Sequence, residues 1–206
     1  MNNSISNFFE QLQMFDEMSF ESIPNKTLHE TSITDLILST VVKWSSTSGL
    51  IEFDPSYKET GDNSVDPKKG TSADFLLVIK DKSDVDHSIA FQAKLGKLSK
   101  KIGNEYSEIV HTIGNKSNGD YQIDRYKAFL KANPSITGKY IFYNGNYKNV
   151  SNQSDISLLD NSSFWILDID NVSILVGNTY KSINLSDLIN IPEHKKFIEF
   201  LRSFNN

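Results

Sequence analysis

The stretch that decides the fold is ADFLLVIKDKSDVDHSIAFQAKL, residues 73–95. Residues 75–79 are continuously apolar, as expected of a strand covered on both faces. A polar turn follows, and residues 87–95 then place apolar side chains at every second position, which is the period of a strand. The two runs therefore predict an antiparallel hairpin at the centre of a sheet.

Polar residues interrupt this hairpin at three informative positions. Asp74 opens the apolar strand, while Gln92 and Lys94 lie two residues apart on the next strand and share a face. Buried polar and charged groups cost several kcal/mol when they are unpaired. A hard divalent cation would satisfy the carboxylate and amide oxygens, so the pattern indicates a candidate metal site.

Toward the N-terminus, apolar spacing predicts a helix over residues 5–20, with a packing face formed by Phe8, Leu12, Phe15 and Met18. A second helix is predicted over 28–44, with Glu30 in its first turn. Residues 50–53 read as a short strand, and the Asp-, Gly- and Ser-rich segment 54–71 reads as a loop.

Toward the C-terminus, we expect a broken helix and a Gly/Asn-rich loop over residues 102–120, then a helix over 121–132 that Asn133-Pro134 stops. Further strands are expected at 139–144, 164–169 and 172–176, and helices at 185–189 and 193–204. This order predicts an α/β protein with a mixed central sheet flanked by helices, in one domain over residues 1–206.

The hairpin and its neighbours resemble the PD-(D/E)XK nuclease superfamily. Asp74 matches the motif aspartate, and Gln92-Ala93-Lys94 stands where Glu-x-Lys or Asp-x-Lys is more usual. Glu30 resembles the acid that the family carries on the preceding helix, and Gln122 with Tyr126 resembles the Gln-x-x-x-Tyr helix of its RecB-like branch. The resemblance covers about residues 28–145, leaves the C-terminal third unaccounted for, and implies a restriction-endonuclease-like fold.

The resemblance also implies catalytic roles. Glu30, Asp74 and Gln92 would hold Mg²⁺ or Mn²⁺, and Lys94 would orient the attacking water or stabilise charge on the phosphate. Gln122 and Tyr126 would support the site or contact the nucleic-acid backbone. Each position also has an ordinary structural interpretation: a strand-entry aspartate, a first-turn helix acid, a strand lysine reaching solvent, a surface glutamine and a core tyrosine.

Charge and composition restrict the function further. A net charge of -5 and a pI near 5.4 argue against nucleic-acid binding over the whole surface, so any such binding must be local. Local candidates for phosphate contacts are Lys97, Lys100, Lys101, Arg125 and Lys127, although such a lysine run is more often a solvated face and single residues such as Arg125 and Lys127 are more often ordinary surface charge. The chain has no cysteine, which excludes disulfides and thiolate chemistry.

The resemblance therefore implies a metal-dependent nuclease, with DNA as the expected substrate, in restriction, repair or anti-phage defence. A second interpretation is a nuclease fold without catalysis that serves as a binding or assembly module, with a partner protein or as a homodimer. The acidic pI and the Gln92 variant favour this alternative. No secretory signal and no apolar stretch of about 20 residues is apparent, so a cytoplasmic protein without a membrane partner is expected.

Overall fold

The computed structural model of the chain describes residues 3–25, 28–48, 51–53, 73–114, 116–117, 120–177 and 181–205. The loop predicted over 54–71 lies outside them. A short 3-10 helix spans Ile23–Asn25. The α-helices are α1 (Asn3–Ser22), α2 (Glu30–Ser48), α3 (Gln122–Ala132), α4 (Gln153–Leu158), α5 (Ile169–Val176), α6 (Leu185–Ile189) and α7 (Phe197–Ser203).

The strands are β1 (Ile51–Phe53), β2 (Phe75–Lys80), β3 (Asp86–Leu98), β4 (Lys101–Ile102), β5 (Glu105–Tyr106), β6 (Ile109–Thr112), β7 (Lys116–Ser117), β8 (Asp120–Tyr121), β9 (Ile136–Tyr143), β10 (Phe164–Asp168), β11 (Ser182–Asn184) and β12 (Lys195–Lys196). The main sheet has the order β1-β2-β3-β9-β10-β12, and β6 joins β3 to β11. Strands from both halves of the chain therefore share one sheet.

The predicted hairpin is confirmed, because β2 and β3 pair antiparallel with Phe75 opposite Phe91. On its other side β3 pairs parallel with β9, which places Gln92 beside Tyr140 and Lys94 beside Phe142. Antiparallel and parallel pairs thus meet at β3. The predicted α/β class, with a mixed central sheet flanked by helices, is confirmed.

Helices cover both faces of the sheet at β3. On one face Phe91 packs edge-on against Phe197 of α7, with ring centroids 5.6 Å apart. On the other, which we call the α3 face, Tyr126 of α3 packs against Tyr140 of β9 at 5.9 Å. Because neighbouring strand residues alternate between faces, Gln92 and Lys94 lie on the α3 face with Tyr140. The polar residues of the hairpin are thereby enclosed between a sheet and a helix.

Two predicted segments are wrong. Residues 172–176 are not a strand but part of α5, where Ile169, Val172 and Val176 are buried at helical spacing while Ile174 is 74% exposed. Residues 115, 118 and 119 lie outside the described residues, and the described part of 102–120 is not a broken helix: β4 and β5 form a tight hairpin at Gly103, whose φ of 60° suits glycine, and β6 adds to the end of β3. A run of β-branched residues is ambiguous until its packing partner is known.

Smaller differences occur at both ends of the chain. In α1, Met18 was expected on the packing face but is 65% exposed, and Phe9 is buried instead. The predicted final helix begins later, at Phe197, because Lys195 and Lys196 first pair with β10. Lys195 and Lys196, which the apolar spacing placed in the helix, therefore belong to a strand.

Candidate active site

Asp74 lies directly before β2, where the pairing of the hairpin ends. Its backbone N–H donates to the carbonyl of Phe91 at 2.7 Å, so the ladder continues one residue beyond the strand. Its carboxylate Oδ2 accepts the next available N–H of β3, that of Ala93, at 2.5 Å. The aspartate is therefore held in place by the backbone of the neighbouring strand.

Glu30 reaches the same edge of β3 from a different element. It is the first residue of α2, and its Oε2 accepts the N–H of Leu95 at 2.6 Å. The N–H groups of Ala93 and Leu95 point to the same side because alternate residues of a strand do so, and they lie about 7 Å apart. Two carboxylates from distant parts of the chain are thus aligned along one strand edge.

A chain of hydrogen bonds links the remaining site residues across the α3 face. Lys94 Nζ donates to Gln122 Oε1 at 2.9 Å, and Gln122 Nε2 donates to Gln92 Oε1 at 2.9 Å. Gln92 Nε2 then donates to Asp74 Oδ2 at 2.5 Å. Lys94, Gln92 and Gln122 are all buried, Gln92 to 1% exposure. We call these four residues the amide chain.

The direction of the amide chain is fixed at both ends. An ammonium group can only donate, so Lys94 requires the oxygen of Gln122, and an ionised carboxylate can only accept, so Asp74 requires the nitrogen of Gln92. The sequence led us to expect Gln92 Oε1 as a metal ligand, but it is the Gln92 nitrogen that faces Asp74. Ligation through Gln92 stays a prediction, and it requires both amides to turn over.

Tyr126 fixes the helix that carries Gln122. Its hydroxyl donates to the carbonyl of Ala90 on β3 at 2.7 Å and accepts the N–H of Lys139 on β9 at 3.2 Å. Close approach of α3 to β9 also depends on Gly138, where a Cβ would lie 2.2 Å from Leu130 Cδ1. Gln122 and Tyr126 do share a face as predicted, but the contacts of Tyr126 are structural.

Two buried tyrosines lie close enough to the acidic residues to be affected by their charge. Burial raises the pKa of Tyr143 well above its usual value, with the charges of Asp74, Glu30 and Asp35 adding to the shift, although its hydrogen bond with Thr34 opposes it. Burial likewise raises the pKa of Tyr140, and Asp74 again contributes. The charge of Asp74 therefore adds to the pKa shift of both tyrosines.

The donor set that could be offered to a divalent cation is small. It consists of the carboxylates of Glu30 and Asp74 with the amide of Gln92 nearby, and the described residues contain no group of three or more His, Cys, Asp or Glu that could hold a metal ion. Mg²⁺ commonly uses one or two carboxylates, retains several waters and takes substrate phosphate oxygens. Glu30 and Asp74 are the residues that would hold it.

The basic candidates occupy different surroundings. Lys97, Lys100 and Lys101 are exposed, at the end of β3 and in the segment that follows it. Arg125 is half-buried on α3. Lys127 instead donates to Ser173 Oγ at 2.6 Å and lies 4.0 Å from Asp170, so it is engaged with α5. The three exposed lysines remain the candidates for phosphate contacts.

Two further polar residues on the α3 face were not predicted from the sequence. His111 lies opposite Gly96 on β6, with its ring 5.1 Å from that of Phe142, and Asn144 follows β9. Both are fully buried, and neither side chain has a hydrogen bond of normal geometry to another described residue. Burial lowers the pKa of His111 to about 4, although Asn144 and the Ile183 backbone oppose the shift. His111 is therefore neutral in the folded protein at neutral pH.

The fold and site together define an α/β protein with a mixed sheet and a buried, directional polar chain beside two aligned carboxylates. The chain belongs to DUF6615, a family of unknown function, whose sequence profile matches residues 7–201. This match includes the C-terminal third that the nuclease resemblance left out. No curated protein matches the chain. Among the described residues, no helix is both long and apolar enough to cross a membrane.

Proposed function

We propose that this protein is a Mg²⁺- or Mn²⁺-dependent nuclease that hydrolyses phosphodiester bonds, with DNA as the expected substrate. The observation that carries the proposal is the joining of Asp74, Gln92 and Lys94 in one hydrogen-bonded chain, with Glu30 on the neighbouring N–H group of β3. These residues lie on α2, directly before β2 and on β3, and they are the four that the resemblance to PD-(D/E)XK nucleases picks out.

The carboxylates are positioned for this chemistry by backbone. The N–H groups of Ala93 and Leu95 hold Asp74 and Glu30 on one edge, so neither side chain has to be ordered at the moment of reaction. A divalent cation bound there supplies positive charge to the phosphoryl oxygens and lowers the pKa of a coordinated water. Gln92, by donating to Asp74, limits the rotation of that carboxylate.

Lys94 supplies a positive charge from the protein itself, in addition to that of a bound cation. Its ammonium is buried and aimed at Gln122, a neutral acceptor, rather than being solvated. In the transition state the phosphate gains negative charge on its oxygens, and a nearby ammonium in a water-poor site stabilises that charge strongly. Gln122 then acts as a positioning residue, since it touches Lys94 and not the reacting atoms.

Substrate binding must overcome the overall negative charge of the protein. Exposed ammonium groups lie at the C-terminal end of β3 and just after it, on Lys97, Lys100 and Lys101. We expect the phosphates of the nucleic-acid backbone to contact these lysines. Binding should therefore weaken steeply as salt rises. A role in restriction, repair or anti-phage defence follows from the resemblance.

A non-catalytic binding module is the second candidate, and one observation favours it. The amide nitrogen of Gln92 satisfies Asp74 directly, which leaves a neutral glutamine in the position where the family's second acid would repel Asp74 unless a cation were bound. The amide chain can therefore persist without a metal ion. A module that binds a partner and performs no catalysis would need no metal at this position.

The deciding experiment measures cleavage of plasmid and single-stranded nucleic acid with Mg²⁺ or Mn²⁺ against EDTA. Asp74→Ala should abolish cleavage and weaken cation binding, because a ligand is lost. Lys94→Met should abolish cleavage but leave cation binding largely intact, because the lysine is not a ligand. Lys131→Met, an exposed change in the last turn of α3, is the matched control and should behave as wild type.

The outcomes separate the two candidates and reveal contamination. Cleavage that persists in Asp74→Ala identifies a contaminating nuclease. A wild-type protein that binds no divalent cation by calorimetry and cleaves nothing identifies the module. Thermal melts of every variant separate loss of chemistry from loss of folding.

A further inference from the structure

A cleft of about 390 Å³ opens beside the candidate active site. Its lining includes Leu28, His29, Leu95, Leu98, Tyr106 and Tyr147, and we call it the tyrosine pocket. His29 immediately precedes Glu30, and Leu95 donates the N–H that holds the Glu30 carboxylate. The tyrosine pocket and the carboxylate edge are therefore contiguous along β3.

One ring of the tyrosine pocket is fixed in place. The hydroxyl of Tyr147 donates to the carbonyl of Gly96 at 2.8 Å, and the residue is buried. Tyr106 is half-buried, and its backbone, but not its ring, is held by a hydrogen bond from its N–H to the carbonyl of Asn149 at 2.7 Å. Tyr147 therefore does not have to be rearranged before a ligand enters, which lowers the ordering cost of binding.

Its chemistry suits a flat, mostly apolar group with charge nearby. Leu28, Leu95 and Leu98 are half-buried, so apolar surface lines the cleft, while Lys97 is exposed in the same lining. The volume lies at the lower end of the ~300–1,000 Å³ that is usual for small-ligand sites, which limits the occupant to something the size of one nucleoside.

We propose that the tyrosine pocket binds one unpaired nucleobase of the strand that is cleaved, with Lys97 contacting an adjacent phosphate. This inference rests on the proposed nuclease function and adds a substrate class to it: single strands, or duplexes with unpaired ends. Aromatic side chains stack on any base, so the pocket provides affinity with little sequence preference. Bases inside an intact duplex are stacked and paired and do not enter.

The test uses a single-stranded oligonucleotide that carries one 2-aminopurine, bound in EDTA so that no cleavage occurs. The wild-type protein should quench the fluorescence of the base and bind the single strand more tightly than the same sequence in a duplex. Tyr106→Leu keeps the apolar bulk but removes the aromatic ring, and should raise the Kd about tenfold. Tyr106→Phe keeps the ring and should retain wild-type affinity.

A second variant protects the test from a folding artefact. Leu28→Trp adds bulk to the lining of the cleft and leaves Tyr106 itself unchanged, so it should also weaken single-strand binding while its thermal melt stays cooperative. Equal affinity for duplex and single strand, or unchanged affinity in both Tyr106→Leu and Leu28→Trp, overturns the inference.

Cleavage is measured separately with Mg²⁺. Quenching and preferential single-strand binding without cleavage would retain the tyrosine pocket and remove the proposed catalysis. Cleavage of duplex by wild type and Tyr106→Leu at equal rates would retain catalysis and remove the pocket's role.

Discussion

The amide nitrogen of Gln92 lies 2.5 Å from Oδ2 of Asp74, so the glutamine donates to the aspartate instead of sharing a cation with it. The amide nitrogen of Gln122 donates a hydrogen bond to the oxygen of Gln92, and the ammonium of Lys94 donates to the oxygen of Gln122. A neutral residue thus stabilises the carboxylate from one side while a buried ammonium sets the direction of the whole chain. Residue 92 is therefore the most informative position to mutate.

Gln92→Glu should lower stability without metal and tighten divalent-cation binding. The new carboxylate would face Asp74 and lose the donated hydrogen bond, with an expected cost of about 1–3 kcal/mol in EDTA. Added negative charge tightens cation binding, by about tenfold or more in Kd. Thermal melts with and without Mg²⁺, together with calorimetric titration, measure both effects.

Gln92→Leu is the matched control for this prediction. It has similar bulk but no polar atom, so it should lose stability without gaining any response to Mg²⁺. If Gln92→Glu and Gln92→Leu respond equally to Mg²⁺, residue 92 does not lie at a cation site.

Gln122→Leu should destabilise the protein and misplace Lys94. The change removes the acceptor of a buried ammonium and the donor to Gln92, at an expected cost of about 1.5–3 kcal/mol. As a positioning residue, Gln122 should affect kcat and leave KM and Mg²⁺ affinity nearly unchanged. Denaturant unfolding and steady-state cleavage measure the two effects, and an unchanged midpoint would contradict the amide chain.

Tyr126→Phe should cost about 1–2 kcal/mol of unfolding free energy. Its hydroxyl bonds the backbone of both β3 and β9, and removal leaves the buried carbonyl of Ala90 without that donor. Tyr140→Phe is the internal control: its hydroxyl is buried without a hydrogen bond to another described residue, so its removal should be neutral or stabilising. Equal destabilisation in both variants would contradict the role given to the Tyr126 hydroxyl.

The pH dependence of stability should contain two opposing contributions. Burial lowers the pKa of His111 to about 4 from its ordinary 6.5, so between these values the unfolded chain binds the extra proton. The neutral His111 therefore contributes about 3 kcal/mol to the free energy of unfolding above pH 6.5, and this contribution is lost as the pH falls through 4.

Asp16 contributes the opposite slope. Burial raises its pKa to about 6 from 3.8, although hydrogen bonds from Ser162, Ser163 and Phe164 and the charge of Lys196 oppose the shift. The folded chain therefore binds the extra proton, and this contribution is present below pH 3.8 and lost as pH rises through 6.

Single variants should expose the two slopes separately. In His111→Gln, unfolding free energy should fall as pH rises from 4 to 6, because only the Asp16 contribution remains. In Asp16→Asn it should rise over the same interval. Urea unfolding at half-unit steps of pH measures the slopes, and parallel profiles in the two variants would contradict this assignment.

The central hairpin was predictable because its side-chain period is an intrinsic property of a strand. Gln92 and Lys94 share a face whatever surrounds them, and Asp74 falls next to Gln92 once the apolar run ending at Ile79 pairs with the following one. The helical spacing of Gln122 and Tyr126 placed both on one face for the same reason.

Other elements depended on partners that local pattern does not reveal. The VSILV segment at 172–176 has strand composition but lies in a helix, where Ile169, Val172 and Val176 are buried at helical spacing. Within residues 102–120, β6 forms because the long β3 extends past Lys94 and provides a ladder for it. His111 and Asn144 gave no sequence signal, since neither has ligand spacing or a recognisable motif.

By itself the sequence determined which residues would lie on the hairpin, in what order and on which face, since those follow from backbone periodicity alone. Tertiary structure decided that Gln92 presents its nitrogen to Asp74, that Glu30 reaches Leu95 across 65 residues of chain, and that the tyrosine pocket opens beside them. The physical reason is that hydrogen-bond direction and cleft shape depend on which donors, acceptors and rings come into contact. These contacts form only when separate elements pack together.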